Sequence, residues 1–231
     1  MDIVLLAGLW LPQSIWTEVD VELKRLGHRP IAPDMPGVDD GSVTATLTDQ
    51  LEAALAAADV ADRPIVVGHS AAGTLAWMVA DRRPGAIGQV VLIGGFPASD
   101  GDAYADFFPI EGGVMPFPGW EPFEDADAAD LDADDRDRIA AMSVPVPEGV
   151  ARGKVTYDDD GRFGVPTLLI CPEFTPDQAK EWIDGGELPE LSGAERLDFA
   201  DIDSGHWPMV TRPAELAGIL DSAARGPGRH I

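Results

Sequence analysis

Apolar and polar positions follow two different patterns along the chain. Short runs, most of them continuously apolar, are typical of strands buried in a parallel sheet, whereas apolar residues recurring every three or four positions indicate helices. Predicted strands fall at residues 3–7, 29–34, 65–68, 89–95, 165–171 and 196–202, and predicted helices at 15–26, 46–58, 71–80 and 214–224. This alternation predicts an α/β fold: a doubly wound, mostly parallel sheet of about six strands with helices on both faces.

Residues 97–164 interrupt the alternation. The segment is rich in Pro, Gly and aromatic residues, and an acidic, helix-favouring stretch follows at 121–138. Because about 65 residues are too many for a plain connection, we predict that 97–164 is an inserted lid over the strand ends. Residues 1–96 and 165–231 then form the core. The alternative is that 97–164 is an acidic insertion without a function of its own.

Composition narrows the possible partners. The 231 residues include 16 Lys and Arg against 41 Asp and Glu, a net charge of −25, which disfavours nucleic acid and anionic membranes. Cys171 is the single cysteine, so intramolecular disulfides and cysteine-based metal clusters are excluded and a reducing compartment fits. We expect a cytoplasmic protein that binds a small molecule and needs neither metal nor cofactor; the oligomeric state stays open.

A serine sits at a sharp turn between a predicted strand and a predicted helix. Residues 68–73 read Gly-His-Ser-Ala-Ala-Gly, close to the G-x-S-x-G nucleophile elbow with Ala72 in place of the second glycine. Small residues at Gly68 and Ala72 keep strand and helix from colliding. The helix N-terminus beside Ser70 would favour a developing negative charge. We predict that Ser70 is a nucleophile.

A serine nucleophile needs a neighbouring base, and the chain offers four histidines. His69 adjoins Ser70 on a tight turn, where neighbouring side chains diverge, and is interpreted as a packed structural residue. His28 precedes the second strand at the wrong end of the sheet, and His230 lies in a tail that we expect to be frayed. His206 follows the last strand and shares the sheet edge of Ser70, so it is the predicted base.

These motifs resemble the α/β-hydrolase superfamily, and most closely its small, lidded, esterase-like members. The likeness runs from about residue 3 to residue 220. It includes the turn at 6–10, where alanine replaces the histidine of the family's His-Gly-x, the Asp-Met-Pro-Gly at 34–37 and the Gly-His-Trp-Pro at 205–208. The resemblance implies an oxyanion hole formed by the backbone N–H groups of Leu9 and Ala71, with Trp10 as a substitute donor. We also expect Trp10 and Trp207 to line the substrate pocket.

The third member of the family's triad is an acid between the serine and the histidine in chain order. Here the sequence departs from the pattern, because Thr175 stands where the family usually has aspartate. Glu173, the first carboxylate after the fifth strand, is the predicted substitute. Asp177 is one alternative, and Asp100 or Asp102, after the fourth strand, are others.

The sequence therefore predicts a serine hydrolase that cleaves a small, mostly apolar ester, thioester or lactone through an acyl-enzyme on Ser70. A lyase or cyclase using the same pocket is one alternative, since this fold supports several chemistries with the same residues. A non-catalytic ligand-binding protein of the same fold is another.

Overall fold

A computed structural model describes residues 1–226; His230 and the predicted frayed tail from 227 onward lie outside the described residues. The strands are β1 Asp2–Leu6, β2 Arg29–Ile31, β3 Ile65–His69, β4 Gln89–Ile93, β5 Val114–Met115, β6 Val146–Pro147, β7 Thr167–Cys171 and β8 Leu197–Asp201. The α-helices are α1 Thr17–Arg25, α2 Leu47–Asp59, α3 Ala72–Arg82, α4 Ala133–Met142, α5 Glu148–Ala151, α6 Pro176–Asp184, α7 Pro189–Ser192, α8 Pro208–Thr211 and α9 Pro213–Arg225. The 3₁₀ helices span Gln13–Trp16, Glu121–Phe123 and Asp160–Gly164.

Six strands form one parallel sheet in the order β2-β1-β3-β4-β7-β8. The fold class predicted from the alternation is thereby confirmed. The chain adds β2 on one side of β1 and β3 on the other, so the strand order reverses at β1. Ligands in open α/β sheets bind at the carboxyl ends of the strands near such a reversal, and β3 ends there with His69.

The core has one apolar layer on each side of the sheet. Alternate residues of the strands face opposite layers, as the pleat requires. One layer contains Leu75 and Trp77 of α3, together with residues of α2. The other contains Val19 and Leu23 of α1, packed with Leu216 of α9. The helices therefore cover both faces of the sheet, as the sequence predicted.

Two helices begin with reciprocal side-chain caps. Thr46 and Asp49 form a capping box at the start of α2, and Thr175 and Gln178 form another at the start of α6. Such caps satisfy backbone N–H groups that have no partner inside the helix. The cap at α6 gives Thr175 a structural task, which accounts for threonine at a position where a triad aspartate would be expected.

Residues 97–164 join β4 to β7 and contain the antiparallel pair β5–β6 together with α4 and α5. The helix predicted over 121–138 is shorter and later, because α4 starts only after Asp132, whose side chain accepts a hydrogen bond from the N–H of Asp135. A short 3₁₀ helix and turns occupy the stretch before it. The boundaries and the lid role of 97–164 remain predictions.

A buried ion cluster joins the end of this insertion to the core. The Arg162 guanidinium donates to Glu190 of α7 at 3.0 Å and to Asp81 of α3 at 3.4 Å. The indole N–H of Trp77 also donates to Glu190, at 3.0 Å. The guanidinium lies against the ring of Phe163, 4.1 Å from its centroid. Removing one partner of such a cluster would leave a buried charge unpaired, so the chain is held firmly where it returns to β7.

Within residues 1–226, every helix is too short or too polar to span a lipid bilayer.

Candidate active site

Ser70 occupies the apex of the turn between β3 and α3. Its φ of 55° lies in the left-handed region, which is strained for a residue with a side chain. Strand and helix approach so closely that a Cβ on Gly68 would lie 2.2 Å from the carbonyl oxygen of Ala72. Glycine at this position is therefore a steric requirement, and the turn has the strained geometry that the motif predicted.

The loop after β4 packs directly against this turn. The Ser70 N–H donates to the carbonyl of Ile93 at 2.8 Å. A Cβ on Gly95 would lie 2.3 Å from the Ser70 carbonyl oxygen, so only glycine fits there. The backbone of the nucleophile turn is thus fixed from the neighbouring strand as well as by its own strand and helix.

His206 and Glu173 meet on the far side of the same loop. His206 Nδ1 lies 2.8 Å from Glu173 Oε1, and each side chain is 14% exposed. A Cβ on Gly94 would lie 3.2 Å from His206 Nδ1, whereas the following residue, Gly95, touches Ser70. Two consecutive glycines therefore separate the serine turn from the histidine–glutamate pair. Ser70, His206 and Glu173 all lie at the carboxyl edge of the sheet, but within residues 1–226 no hydrogen bond joins Ser70 to His206.

The other candidate acids have different partners. Asp177 accepts from Lys180 at 2.9 Å and Asp100 accepts from the Tyr157 N–H at 3.0 Å. Asp102 lies in the wall of a pocket beside Ser70. Glu173 is the candidate acid that contacts the histidine ring in this structure, and its role in orienting that ring remains a proposal.

The backbone of His206 is held at both of its polar groups. Its N–H donates to the carbonyl of Asp127 at 2.7 Å, and its carbonyl accepts from Nε2 of His69, also at 2.7 Å. Burial, reinforced by the nearby Glu173 carboxylate, raises the pKa of Asp127 above its ordinary value, although the charge of His206 opposes that rise. Asp127 is thus partly buried, although it belongs to the acidic stretch at 121–138.

Two backbone N–H groups stand beside Ser70 as the predicted oxyanion donors. Ala71 follows the serine at the start of α3, and Leu9 follows Gly8, where a Cβ would lie 3.1 Å from Ser70 Cβ. Within residues 1–226, neither amide donates a backbone hydrogen bond. Both are therefore available to a ligand at the serine, and their assignment to an oxyanion hole remains a proposal.

The structure places Trp10 and Trp207 in one aromatic cluster beneath the insertion. The Trp10 indole donates to the carbonyl of Met115 at 3.1 Å, and its ring lies 6.1 Å from that of Phe123. Trp207 packs edge-on against Phe123 at 5.5 Å and against the His206 ring at 5.0 Å. Trp10 lines a small cavity together with Gly8 and Leu9. Neither tryptophan is in the wall of the larger pocket beside Ser70, and their assignment to the substrate pocket remains a proposal.

The pocket beside Ser70 has a volume of about 390 Å³. Its wall combines the serine turn, the glycines after β4 and the start of the insertion: Ser70, Ala71, Thr74, Gly94, Gly95, Phe96, Ala98, Asp102, Ala103, Tyr104 and Phe107. Tyr104 is buried, which raises the pKa of its hydroxyl above the ordinary value and keeps the phenol protonated. Sequence reasoning named Ser70, Ala71 and Asp102 but missed the apolar part of this wall, such as Phe96, Tyr104 and Phe107; the position of these residues after β4, at the carboxyl edge, was the available signal.

The parallel sheet, its order and the strained serine turn define an α/β hydrolase. The model of the alpha/beta hydrolase family matches residues 3–219, and the chain belongs to this family. Among curated protein sequences, none matches this chain. Among residues 1–226, no group of three or more His, Cys, Asp or Glu residues is placed to hold a metal ion.

Solved structures of distant relatives share the fold over almost their whole length. An extracellular α/β-hydrolase from a Paenibacillus species is 19% identical, with 99% of this chain and 100% of that chain covered and a TM-score of 0.79. A pyrethroid hydrolase from Sphingobium faniae is 16% identical, with 100% and 99% covered and a TM-score of 0.72. A methylesterase from Arabidopsis is 14% identical, with 97% and 99% covered and a TM-score of 0.75.

Proposed function

We propose that this protein is a serine hydrolase that cleaves a small, mostly apolar ester, thioester or lactone. One observation carries the proposal: a strained serine and a histidine–glutamate pair 2.8 Å apart occupy the same sheet edge, separated by Gly94 and Gly95. This is the set of groups that nucleophilic acyl transfer needs, on elements that hold each of them.

The first half of the reaction forms an acyl-enzyme. Ser70 Oγ attacks the substrate carbonyl while His206 Nε2 accepts the hydroxyl proton. The amides of Leu9 and Ala71 stabilise the negative charge on the carbonyl oxygen. As the tetrahedral intermediate collapses, His206 returns the proton to the departing alkoxide or thiolate, and the acyl group stays on Ser70.

The second half consumes one water molecule. His206 removes a proton from the water, whose oxygen attacks the acyl carbonyl, and then returns that proton to Ser70 Oγ. Glu173 keeps the Nδ1 proton of His206 in place throughout and balances the imidazolium charge. The products are a carboxylic acid and an alcohol or thiol, so no further co-reactant is required.

The pocket supports a small and mainly apolar substrate. Phe96, Ala98, Tyr104 and Phe107 supply apolar wall, and about 390 Å³ is near the lower end of the range for small-molecule sites. Several of these residues belong to 97–164, which is why we propose that the insertion acts as a lid. Two of the distant relatives are described as a pyrethroid hydrolase and a methylesterase, which favours ester bonds among the candidate substrates.

Turnover of a panel of short esters, thioesters and lactones by the wild type and by Ser70→Ala tests this proposal. We expect hydrolysis by the wild type and a loss of several orders of magnitude in the variant. Wild-type protein that binds panel members without turnover would favour the ligand-binding alternative. Products formed without addition of water would favour a lyase or cyclase. Undiminished hydrolysis by Ser70→Ala would overturn the serine mechanism.

A further inference from the structure

His69 makes a contact that the mechanism above does not use. Its ring is completely buried at the end of β3, one residue before Ser70. Nε2 lies 2.7 Å from the carbonyl oxygen of His206. Because a carbonyl oxygen can only accept, Nε2 must carry a proton, and in a neutral ring Nδ1 is then bare. Nδ1 is buried without a hydrogen-bond partner in the described part of the chain.

The surroundings keep this ring neutral. Burial lowers the pKa of His69 well below its ordinary value and the charge of the neighbouring His206 lowers it further, which outweighs the opposite effect of the hydrogen bond to the His206 carbonyl. A protonated ring would place a positive charge on Nδ1 where it has no acceptor. The Nε2-protonated neutral form is therefore the state in which His69 holds the His206 carbonyl.

The same ring touches the three parts of the candidate site. It belongs to the serine turn, and its centroid lies 4.8 Å from that of the His206 ring. On the opposite side a Cβ on Gly8 would lie 2.8 Å from His69 Nδ1, so the turn that carries Leu9 closes directly onto it. A shift of the His69 ring would change the spacing between the nucleophile, the base and the oxyanion turn.

We propose that His69 is a positioning residue for His206, which it holds by donating its Nε2 proton to the His206 carbonyl. This inference rests on the proposed role of His206 as the base. Glu173 orients the ring of His206, but it does not fix the backbone to which the ring is attached. That backbone is held by two hydrogen bonds of 2.7 Å each, one from His69 to the His206 carbonyl and one from the His206 N–H to the carbonyl of Asp127. Catalysis is sensitive to displacements of about 1 Å, so loss of one of these hydrogen bonds should lower kcat more than it raises KM.

The test compares His69→Gln with His69→Met. The glutamine amide nitrogen can reach the position of Nε2 and donate, whereas methionine has a similar length and no donor. We expect His69→Met to lose about 100-fold or more in kcat with KM changed less than threefold, and the rate of labelling by a fluorophosphonate to fall in parallel. His69→Gln should stay within about tenfold of the wild type in both measurements.

Equal rates for the two variants, whether both fast or both slow, would overturn the proposal, because the donated proton would then make no difference. If His69→Met does not fold, His69→Asn replaces it, since that shorter amide ends where Nδ1 lies and cannot reach the carbonyl. If the wild type and His69→Met are both fully active, only this inference is overturned. If the wild type shows neither turnover nor labelling, the proposed function is overturned.

A second readout needs no substrate. In ¹⁵N-histidine spectra of the folded wild-type protein, His69 should show a protonated Nε2 and a bare Nδ1 between pH 6 and 8. The His206 ring signals should persist in His69→Gln and broaden in His69→Met. The opposite tautomer, or a charged His69 ring in this range, would contradict the proposal directly.

Discussion

Two histidine–carboxylate pairs with the same nitrogen–oxygen distance lie at opposite edges of the sheet. His206 Nδ1 is 2.8 Å from Glu173 Oε1 at the carboxyl edge. His28 Nε2 is 2.8 Å from Asp221 Oδ1 at the amino edge, where α9 passes the start of β2. Both pairs are largely buried. Distance and burial therefore do not distinguish a candidate catalytic pair from a structural one.

The difference lies in the ring nitrogen that each carboxylate leaves free. Asp221 engages Nε2 of His28, and the remaining Nδ1 faces the N-terminal amine at 3.4 Å. Glu173 engages Nδ1 of His206, and among residues 1–226 Nε2 of that ring makes no hydrogen bond; the ring lies at the sheet edge that also carries Ser70. Whether such a pair can serve catalysis therefore depends on the sheet edge that it occupies and on the group that its second nitrogen meets.

The largest expected contrast comes from removing each ring in turn. His206→Ala should lower kcat by about 10⁴-fold or more, because Ser70 loses the group that accepts its proton. His28→Ala should leave kcat unchanged and lower the free energy of unfolding by about 1–2 kcal/mol. Steady-state kinetics and urea denaturation of both variants measure the two effects. A similar loss of kcat in both variants would show that the amino-edge pair acts on the site as well.

A second, smaller contrast comes from neutralising each carboxylate. Glu173→Gln should lower kcat by about 10²- to 10⁴-fold, since the amide can stabilise the wrong imidazole tautomer and cannot balance the imidazolium. Asp221→Asn should change kcat less than twofold. Single-turnover kinetics on the best panel substrate check this.

Three further carboxylates serve as controls for that experiment. Asp100→Asn and Asp177→Asn should stay fully active, and Asp102→Asn, in the wall of the pocket beside Ser70, should keep its kcat and change only KM. If one of these three variants is inactive while Glu173→Gln is active, the triad acid is that residue and not Glu173. Activity in Glu173→Gln and in all three controls, with Ser70→Ala dead, would mean that serine and histidine work as a dyad.

The loop that carries Glu173 and Thr175 shows which features of the site could be predicted from the sequence and which could not. The motif around Ser70 is local, so six consecutive residues sufficed to predict its strained turn. Glu173 could only be ranked above its competitors by chain order, because its contact with His206 spans 33 residues. The capping role of Thr175 was readable from the Thr-Pro-Asp-Gln spacing, and would have explained why threonine stands there.

The directions of side chains could not be predicted from the sequence. Trp10 has a positive φ of 65° and its indole bonds Met115, 105 residues away. Nothing local indicates either feature. The start of α4 was readable from the cap at Asp132, whereas the bond from Asp127 to His206 joins two loops that are far apart in the chain. Regular elements and local turns follow from pattern; contacts between loops do not.

The smallest expected effect concerns acid stability. In the unfolded chain His69 takes up a proton near its ordinary pKa of 6.5, whereas the folded state keeps its pKa well below that value. Stability contributed by this group is therefore present above pH 6.5 and is lost as the pH falls toward the folded pKa, by up to about 1.4 kcal/mol per pH unit. Protonation of Asp127, whose pKa is raised in the folded state, acts in the opposite direction.

Comparing wild type with His69→Gln isolates that contribution, because the charges of His206, Glu173 and Asp127 around the ring are unchanged. Urea denaturation at pH 7.5 and at pH 5.5 should show a larger loss of stability for the wild type than for the variant. Equal losses in the two proteins would mean that His69 does not resist protonation in the folded state.

Labelling by a fluorophosphonate, followed by peptide mapping, tests the central claim most directly. The probe reports an activated serine without knowledge of the substrate, because the histidine must accept the serine proton for the phosphorus–oxygen bond to form. We predict one adduct per chain, on Ser70, formed at least 100-fold more slowly in Glu173→Gln and at the wild-type rate in Asp221→Asn. An unlabelled wild type, or an adduct on any other residue, would contradict the account.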